Sequence, residues 1–295
     1  MSPPLQGRLK NDPCYTVCVV WCVNLELQKQ VSPFLSFLRD RFKAKINPEE
    51  YYLAYSGGKD SHFLLWFIKE YIQDDSIQIV GVNTSFEIPE IRERIMRNCD
   101  VVLHPAKHRN EIKEKYGIPC FSKQQDEYIY RYQRGNRSEN TMNAVLGRGR
   151  LFVLNKTARE LLLSGKLHRV SNKCCYYNKE LPMIRYGRSA GRKAIIGTRA
   201  SESKTRKAQY TSCLKANGDF IPLYDISDAL MDAIYEAYGI EIPKIYDHLS
   251  RTGCGGCPYT WNCQKELTLL PDIQRKKAIE YFKESYDVKK IQYTL

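Results

Sequence analysis

Six consecutive residues, Ser56-Gly57-Gly58-Lys59-Asp60-Ser61, carry groups suited to phosphate. The two glycines let backbone N–H groups turn toward an anion, Lys59 adds a mobile cation, and Asp60 is a carboxylate able to hold Mg2+. The segment lacks the longer loop ending in Gly-Lys-Ser/Thr, which excludes the phosphate loop of motor proteins and GTPases. A second set is sulfur: Cys174-Cys175 and Cys254-x-x-Cys257 supply four thiols and Cys263 a fifth. Gly253, Gly255, Gly256 and Pro258 form a tight loop about the second pair, as a metal knuckle requires, and zinc takes four thiolates readily. One residue of the adjacent pair with Cys254, Cys257 and Cys263 is a rival ligand set, and buried inert thiols are the bland alternative. Cys14, Cys18 and Cys22, spaced by four, share one helix face; the Val and Trp residues between them suit packing better than a second metal site.

Three further groups bear on anions. Arg199, placed after an apolar run, is able to fork onto an anionic group at the rim of a sheet, or to pair with Glu202 or another carboxylate. Glu87 and Glu90 precede a helix, where acids also serve the positive helix end. Tyr128, Tyr130 and Tyr132 interleave with Arg131, Arg134 and Arg137, ahead of Arg148 and Arg150, a pattern that either stacks bases and binds phosphates or packs its tyrosines with solvated arginines.

These residues need elements to position them. Gln28 to Phe42 reads as an amphipathic helix with Val31, Phe34, Leu35 and Leu38 on one face. Strand patterns follow at 51–55, 77–82, 101–103 and 194–198, and helix patterns at 61–72, 90–98, 155–163, 227–238 and 272–286. Short strands alternating with helices imply an α/β fold whose mostly parallel sheet is flanked by helices, Rossmann-like in kind. The phosphate-suited loop then falls between a strand and a helix. The organisation expected is an N-terminal helical extension (1–45), a nucleotide-binding core (46–250) and a Cys-rich loop with a C-terminal helix (251–295).

Composition sets the outer bounds. With 43% hydrophobic residues among 295, disorder is excluded. No apolar run approaches the ~20 residues of a membrane span, the stretch Val17 to Val23 included. Eleven cysteines without an export signal argue for free thiols or metal ligands rather than disulfides, and for a cytoplasmic location. The 46 basic against 33 acidic residues, a net +13, favour anionic partners such as nucleotides or nucleic acid.

Ser-Gly-Gly-Lys-Asp-Ser resembles the pyrophosphate-binding loop of the adenine nucleotide α-hydrolase superfamily, the ATP pyrophosphatases. Asn83-Thr84-Ser85-Phe86-Glu87-Ile88-Pro89-Glu90 resembles the Asp-Thr-Gly…Pro-Glu segment of phosphoadenosine phosphosulfate (PAPS) reductases, with Asn83 for Asp and Ser85 for Gly. Gly197-Thr198-Arg199-Ala200-Ser201-Glu202-Ser203 is similar to that family's Gly-x-Arg-x-x-Glu-Ser, and the likeness extends through Cys254-Gly255-Gly256-Cys257-Pro258. The matched segments spread over residues 50–263. The resemblance implies ATP on Ser56 to Ser61 with Thr84, Glu90 and Arg199 nearby, Mg2+ at Asp60, and Lys59, Asp60 and Arg199 as the catalytic groups. In iron–sulfur members the adjacent pair and the CxxC hold a [4Fe–4S] cluster, which implies Cys174, Cys175, Cys254 and Cys257 as its ligands, with zinc as the other candidate.

The Glu-Cys-Gly-x-His-like segment that carries the nucleophile of sulfonucleotide reductases is missing, the last cysteine being Cys263. Without that thiolate no covalent sulfite intermediate forms by the family's route. The expected activity is therefore ATP-dependent adenylation with release of pyrophosphate, in the service of sulfur transfer. DNA or tRNA is the candidate acceptor, and a cysteine desulfurase or another sulfur donor the candidate partner. The alternatives are a sulfonucleotide reductase with a non-standard thiol and a metal-stabilised nucleic-acid-binding protein.

Overall fold

The computed structural model describes residues 13–150, 152–202 and 204–293, with side chains described from residue 25 onward except at 202, 204, 205 and 209. Its elements run in the order α1 (Pro13–Lys45), β1 (Tyr51–Ala54), α2 (Lys59–Phe67), β2 (Gln78–Val82), α3 (Pro89–Asn98), β3 (Val101–Leu103), α4 (Arg109–Tyr116), α5 (Lys123–Gln133), α6 (Glu139–Leu146), α7 (Lys156–Leu163), α8 (Lys173–Cys175), α9 (Leu181–Ala190), β4 (Lys193–Ile196), α10 (Lys204–Gln209), α11 (Asp228–Tyr238), α12 (Cys263–Leu269) and α13 (Asp272–Lys289). The four strands form an all-parallel sheet in the order β3-β2-β1-β4, flanked by helices. Leu53 stands opposite Ile195 and Val80 opposite Val101. Three of the expected strands are shorter than read: Ile77 precedes β2, and Tyr55, Gly197 and Thr198 leave the ladder because they belong to the loops that follow their strands.

The chain divides into two compact units, neither continuous in sequence. The first comprises Met1–Tyr55, Lys59–Ile79 and Arg192–Pro243. Here the apolar face of α1 is buried as the 3.6-residue period requires, through Val31, Leu35, Leu38 and Phe42. It lies against α11, where the Gln28 amide donates to the Ala237 carbonyl at 2.9 Å. Phe42 meets the rings of Phe67 (5.4 Å) and Phe220 (5.0 Å). Arg41 forks onto Asp225 with two bonds of 2.7 Å.

The second unit comprises Ser56–Gly58, Val80–Gly191 and Lys244–Leu295. One of its apolar clusters joins α5, α6 and α7 through Ile129, Val145, Ala158 and Leu162. Another lies on α13, whose Ala278, Ile279, Phe282 and Tyr286 are buried. Phe86 packs on this helix with ring centroids 5.5 Å from Tyr281 and 5.7 Å from Phe282. That contact sets the loop after β2 against α13. Among the described residues no helix is long and apolar enough to cross a membrane.

Candidate functional site

In the first unit, α2 opens at Lys59 and places Asp60 in its first turn, where an acid meets the positive helix end. The Tyr235 hydroxyl donates to the Lys59 carbonyl at 2.5 Å. Gly197, just after β4, lies so close to this turn that a Cβ there would stand 3.0 Å from the Asp60 carbonyl carbon and from the Ser61 nitrogen. Two residues on, Arg199 is 2% exposed. Its Nε stands 3.1 Å from Asp60 and its Nη1 2.5 Å from Asp228 at the start of α11. Burial alone would lower the Arg199 pKa, but the two carboxylates raise it, so the guanidinium is a fixed cation tying the first turns of α2 and α11. The carboxylate partners are thus Asp60 and Asp228, while the side chain of Glu202 and all of Ser203 lie outside the described residues.

In the second unit, Gly57 has φ +75° and a Cβ there would come within 2.8 Å of the Ile91 carbonyl oxygen in α3. Only glycine satisfies both conditions. Ser56 is exposed. A Cβ at Gly58 would stand 2.9 Å from the Tyr246 hydroxyl, which pairs with Thr252 at 3.0 Å. Thr84 and Glu87 close on each other: Glu87 accepts the Thr84 N–H (3.0 Å) and hydroxyl (2.6 Å). Both oxygens of Glu90 are taken by the backbone N–H groups of Lys244 (2.7 Å) and Ile245 (2.9 Å), so this acid caps a turn.

The sulfur residues also lie in the second unit. Cys254 forms an isolated antiparallel bridge with Glu87, and the Gly255 N–H donates to the Phe86 carbonyl at 2.7 Å. Cys174, Cys175, Cys254 and Cys257 all fall within electrostatic range of one another. Burial pushes the Cys174 thiol up to about 12 and raises Cys175 and Cys257 as well, with the neighbouring thiols adding to the rise. Cations face the set. Lys179 bonds Cys254 and stands 3.7 Å from Glu87, Lys123 acts on Cys175, and the Arg109 guanidinium lies 3.5 Å over the Phe86 ring within reach of Cys174 and Cys254.

Among the described residues no three His, Cys, Asp or Glu side chains converge in metal-holding geometry. In kind, four sulfurs are a donor set that zinc and iron–sulfur centres take, and three cations stand beside them to offset part of the charge that thiolates would carry. Cys263 is placed differently: it is 2% exposed and its thiol donates to the Gly256 carbonyl at 3.3 Å. Cys14, Cys18 and Cys22 fall in α1, but their side chains lie outside the described residues.

The basic segment is largely engaged within itself. Arg131 pairs with Glu127 at 2.9 Å, Arg137 lies 3.9 Å over the Tyr132 ring, and Tyr128 stacks on Phe152 at 5.0 Å, while Arg134 is exposed. Sequence reasoning missed Asp228 in the first unit and Lys179, Arg109, Glu266 and Tyr286 in the second, which no motif announces and which tertiary packing alone brings beside the motif residues of their own unit. No family model matches this chain, and no curated protein matches it.

Proposed function

We propose that this chain is an ATP-using adenylating enzyme, a pyrophosphatase of the kind its Ser56-to-Ser61 segment resembles, acting in sulfur transfer. The observation that carries the reading is the turn after β1: Gly57 in the left-handed region, seated where no Cβ fits, and followed at once by a helix opening with Lys59 and Asp60. Such a turn exposes backbone N–H groups and a helix N-terminus to phosphate oxygens. Lys59 meets those oxygens as a point charge. Mg2+, held through Asp60, would supply charge neutralisation at the phosphates. Arg199, fixed by Asp60 and Asp228, keeps the first turn of α2 in place and holds positive charge beside it.

In the reaction an acceptor oxygen attacks the α-phosphorus. The bond to the bridging oxygen breaks, pyrophosphate leaves, and the acceptor proton passes to solvent or to a nearby carboxylate. The adenylated position then has AMP as a leaving group for a sulfur nucleophile delivered by a cysteine desulfurase or another donor. Cys174, Cys175, Cys254 and Cys257 would hold a [4Fe–4S] cluster, or zinc, as the thiolate-bound centre accompanying that chemistry. DNA or tRNA is the acceptor we favour, on the strength of the +13 charge. The reductase alternative stands behind this reading because Cys263, a thiol it would borrow, is buried and bonded to a carbonyl. The test is product analysis with ATP, Mg2+ and either nucleic acid: AMP and pyrophosphate support the proposal, whereas sulfite from PAPS with no turnover of ATP would overturn it.

A further inference from the structure

The peptide at Gly256, between the two cysteines of the 254–257 loop, is held at both ends. Its N–H donates to Glu266 Oε2 at 3.1 Å, and its carbonyl accepts from the Tyr286 hydroxyl and from Cys263. Gly256 has φ +69°, and a Cβ there would stand 2.7 Å from Leu267 and 2.9 Å from the Tyr286 hydroxyl, so the loop is pressed against α12 and α13 with no slack. Glu266 is 1% exposed, Tyr286 0% and Cys263 2%. A carboxyl buried to that degree is costly for a fold to retain unless its bonds are needed. Its bonds go to Gly256 and to the Thr260 hydroxyl, within the segment that carries the cysteines. Lys289 adds a bond to the Pro258 carbonyl just beyond them.

With only two residues between the thiols, the orientation of the Gly255 and Gly256 peptides sets the separation and aim of the two sulfurs. We infer that Glu266 and Tyr286 are positioning residues, which fix where the Cys254 and Cys257 thiols point by gripping the Gly256 peptide from opposite sides. This rests on the reading that Cys254 and Cys257 are working thiols, but not on what they hold. Cys263, weighed above as a ligand, is in this account part of the grip.

Iodoacetamide alkylation of the reduced full chain, followed at each cysteine by mass spectrometry, tests it, with Cys99 as the internal reference. Tyr286→Phe keeps the ring and loses the bond, Glu266→Leu removes the acceptor, and Glu266→Gln keeps an acceptor for the Gly256 N–H. Tyr286→Phe and Glu266→Leu are expected to change the alkylation rates of Cys254 and Cys257 relative to Cys99, and Glu266→Gln to leave them within about two-fold of the parent. Co2+ titration adds a spectroscopic arm: if the parent shows thiolate-to-cobalt absorption, the first two variants should bind about 10-fold or more weakly, as for lost supports of metal ligands. Unchanged relative rates in both Tyr286→Phe and Glu266→Leu would overturn the inference, as would equal changes at Cys99, which mean general loosening. A parent that binds no Co2+ while the alkylation pattern holds would count against the metal centre and leave the positioning role standing.

Discussion

Replacing Gly57 by alanine should damage the protein in two separable ways. The backbone there has φ +75°, which costs a residue with a Cβ about 1–2 kcal/mol. The new Cβ would also lie 2.8 Å from the Ile91 carbonyl oxygen and 3.0 Å from Ile91 Cγ2. The first of these is backbone, so α3 or the loop has to shift, an overpacking cost of about 1–3 kcal/mol. Alanine recovers about 0.4–1 kcal/mol by restricting the unfolded chain. The net loss is then about 1–4.5 kcal/mol, or roughly 2–7 °C in Tm for a chain of this size. Gly165→Ala isolates the first component, because Gly165 has φ +73° with nothing within 4 Å of its would-be Cβ. Thermal unfolding followed by circular dichroism should show Gly57→Ala falling further than Gly165→Ala, and calorimetry should show Mg-ATP affinity reduced in Gly57→Ala alone. Equal Tm shifts in the two variants, or full ATP affinity in Gly57→Ala, would refute the claim that this turn is a close-packed phosphate cradle.

Other perturbations test neighbouring parts. Asp60→Asn removes one of two carboxylates from the buried Arg199 and should cost about 1.5–3 kcal/mol of stability as well as turnover, where Lys59→Ala should cost turnover alone; a Tm unchanged in Asp60→Asn would contradict the pairing. Burial raises the Asp126 carboxyl from its ordinary 3.8 to about 6, despite N–H bonds from Cys120 and Phe121. The folded state therefore holds this proton more tightly than the unfolded chain, so the group's contribution to stability falls as pH rises from about 4 to about 6, by about 3 kcal/mol at most. Tm measured across that range in the parent and in Asp126→Asn checks this, and parallel curves would contradict it. If nucleic acid is the acceptor, binding measured by fluorescence anisotropy should weaken with salt, at a log–log slope of roughly −0.7 to −0.9 per phosphate neutralised; a flat dependence would point to a small-molecule acceptor.

The parts of the fold legible in the sequence are those fixed by short-range pattern. Val31, Leu35, Leu38 and Phe42 repeat at helical spacing and are buried as that spacing demands. The helix itself starts at Pro13 rather than at Gln28, because the nearly unbroken apolar run around Val17 to Val23 shows no polar face from which to read a period. The stretch 173–190 was illegible for another reason. It runs as successive helical turns from Lys173 to Ala190, with Pro182 tolerated in the first turn of α9, although its cysteines, tyrosines and proline resemble a loop.

At the site, the strand-to-helix placement of Ser56 to Ser61 was readable from order alone. The partners of those residues were not. Glu90 looks like a ligand-facing acid but its oxygens cap Lys244 and Ile245, and Arg199 looks like a rim clamp but spans Asp60 and Asp228. Each of those bonds joins residues far apart in sequence, and no local spacing encodes them.

Isothermal titration calorimetry of the full chain with Mg-ATP, set beside Lys59→Ala, tests the central claim most directly. The parent is predicted to bind one ATP per chain, and Lys59→Ala to bind at least about 10-fold more weakly with an unchanged circular dichroism spectrum, since it loses a charged phosphate contact worth about 1.5–3 kcal/mol. Equal affinity in the two proteins, or no heat of binding in the parent, would contradict the assignment of Ser56 to Ser61 to nucleotide phosphates.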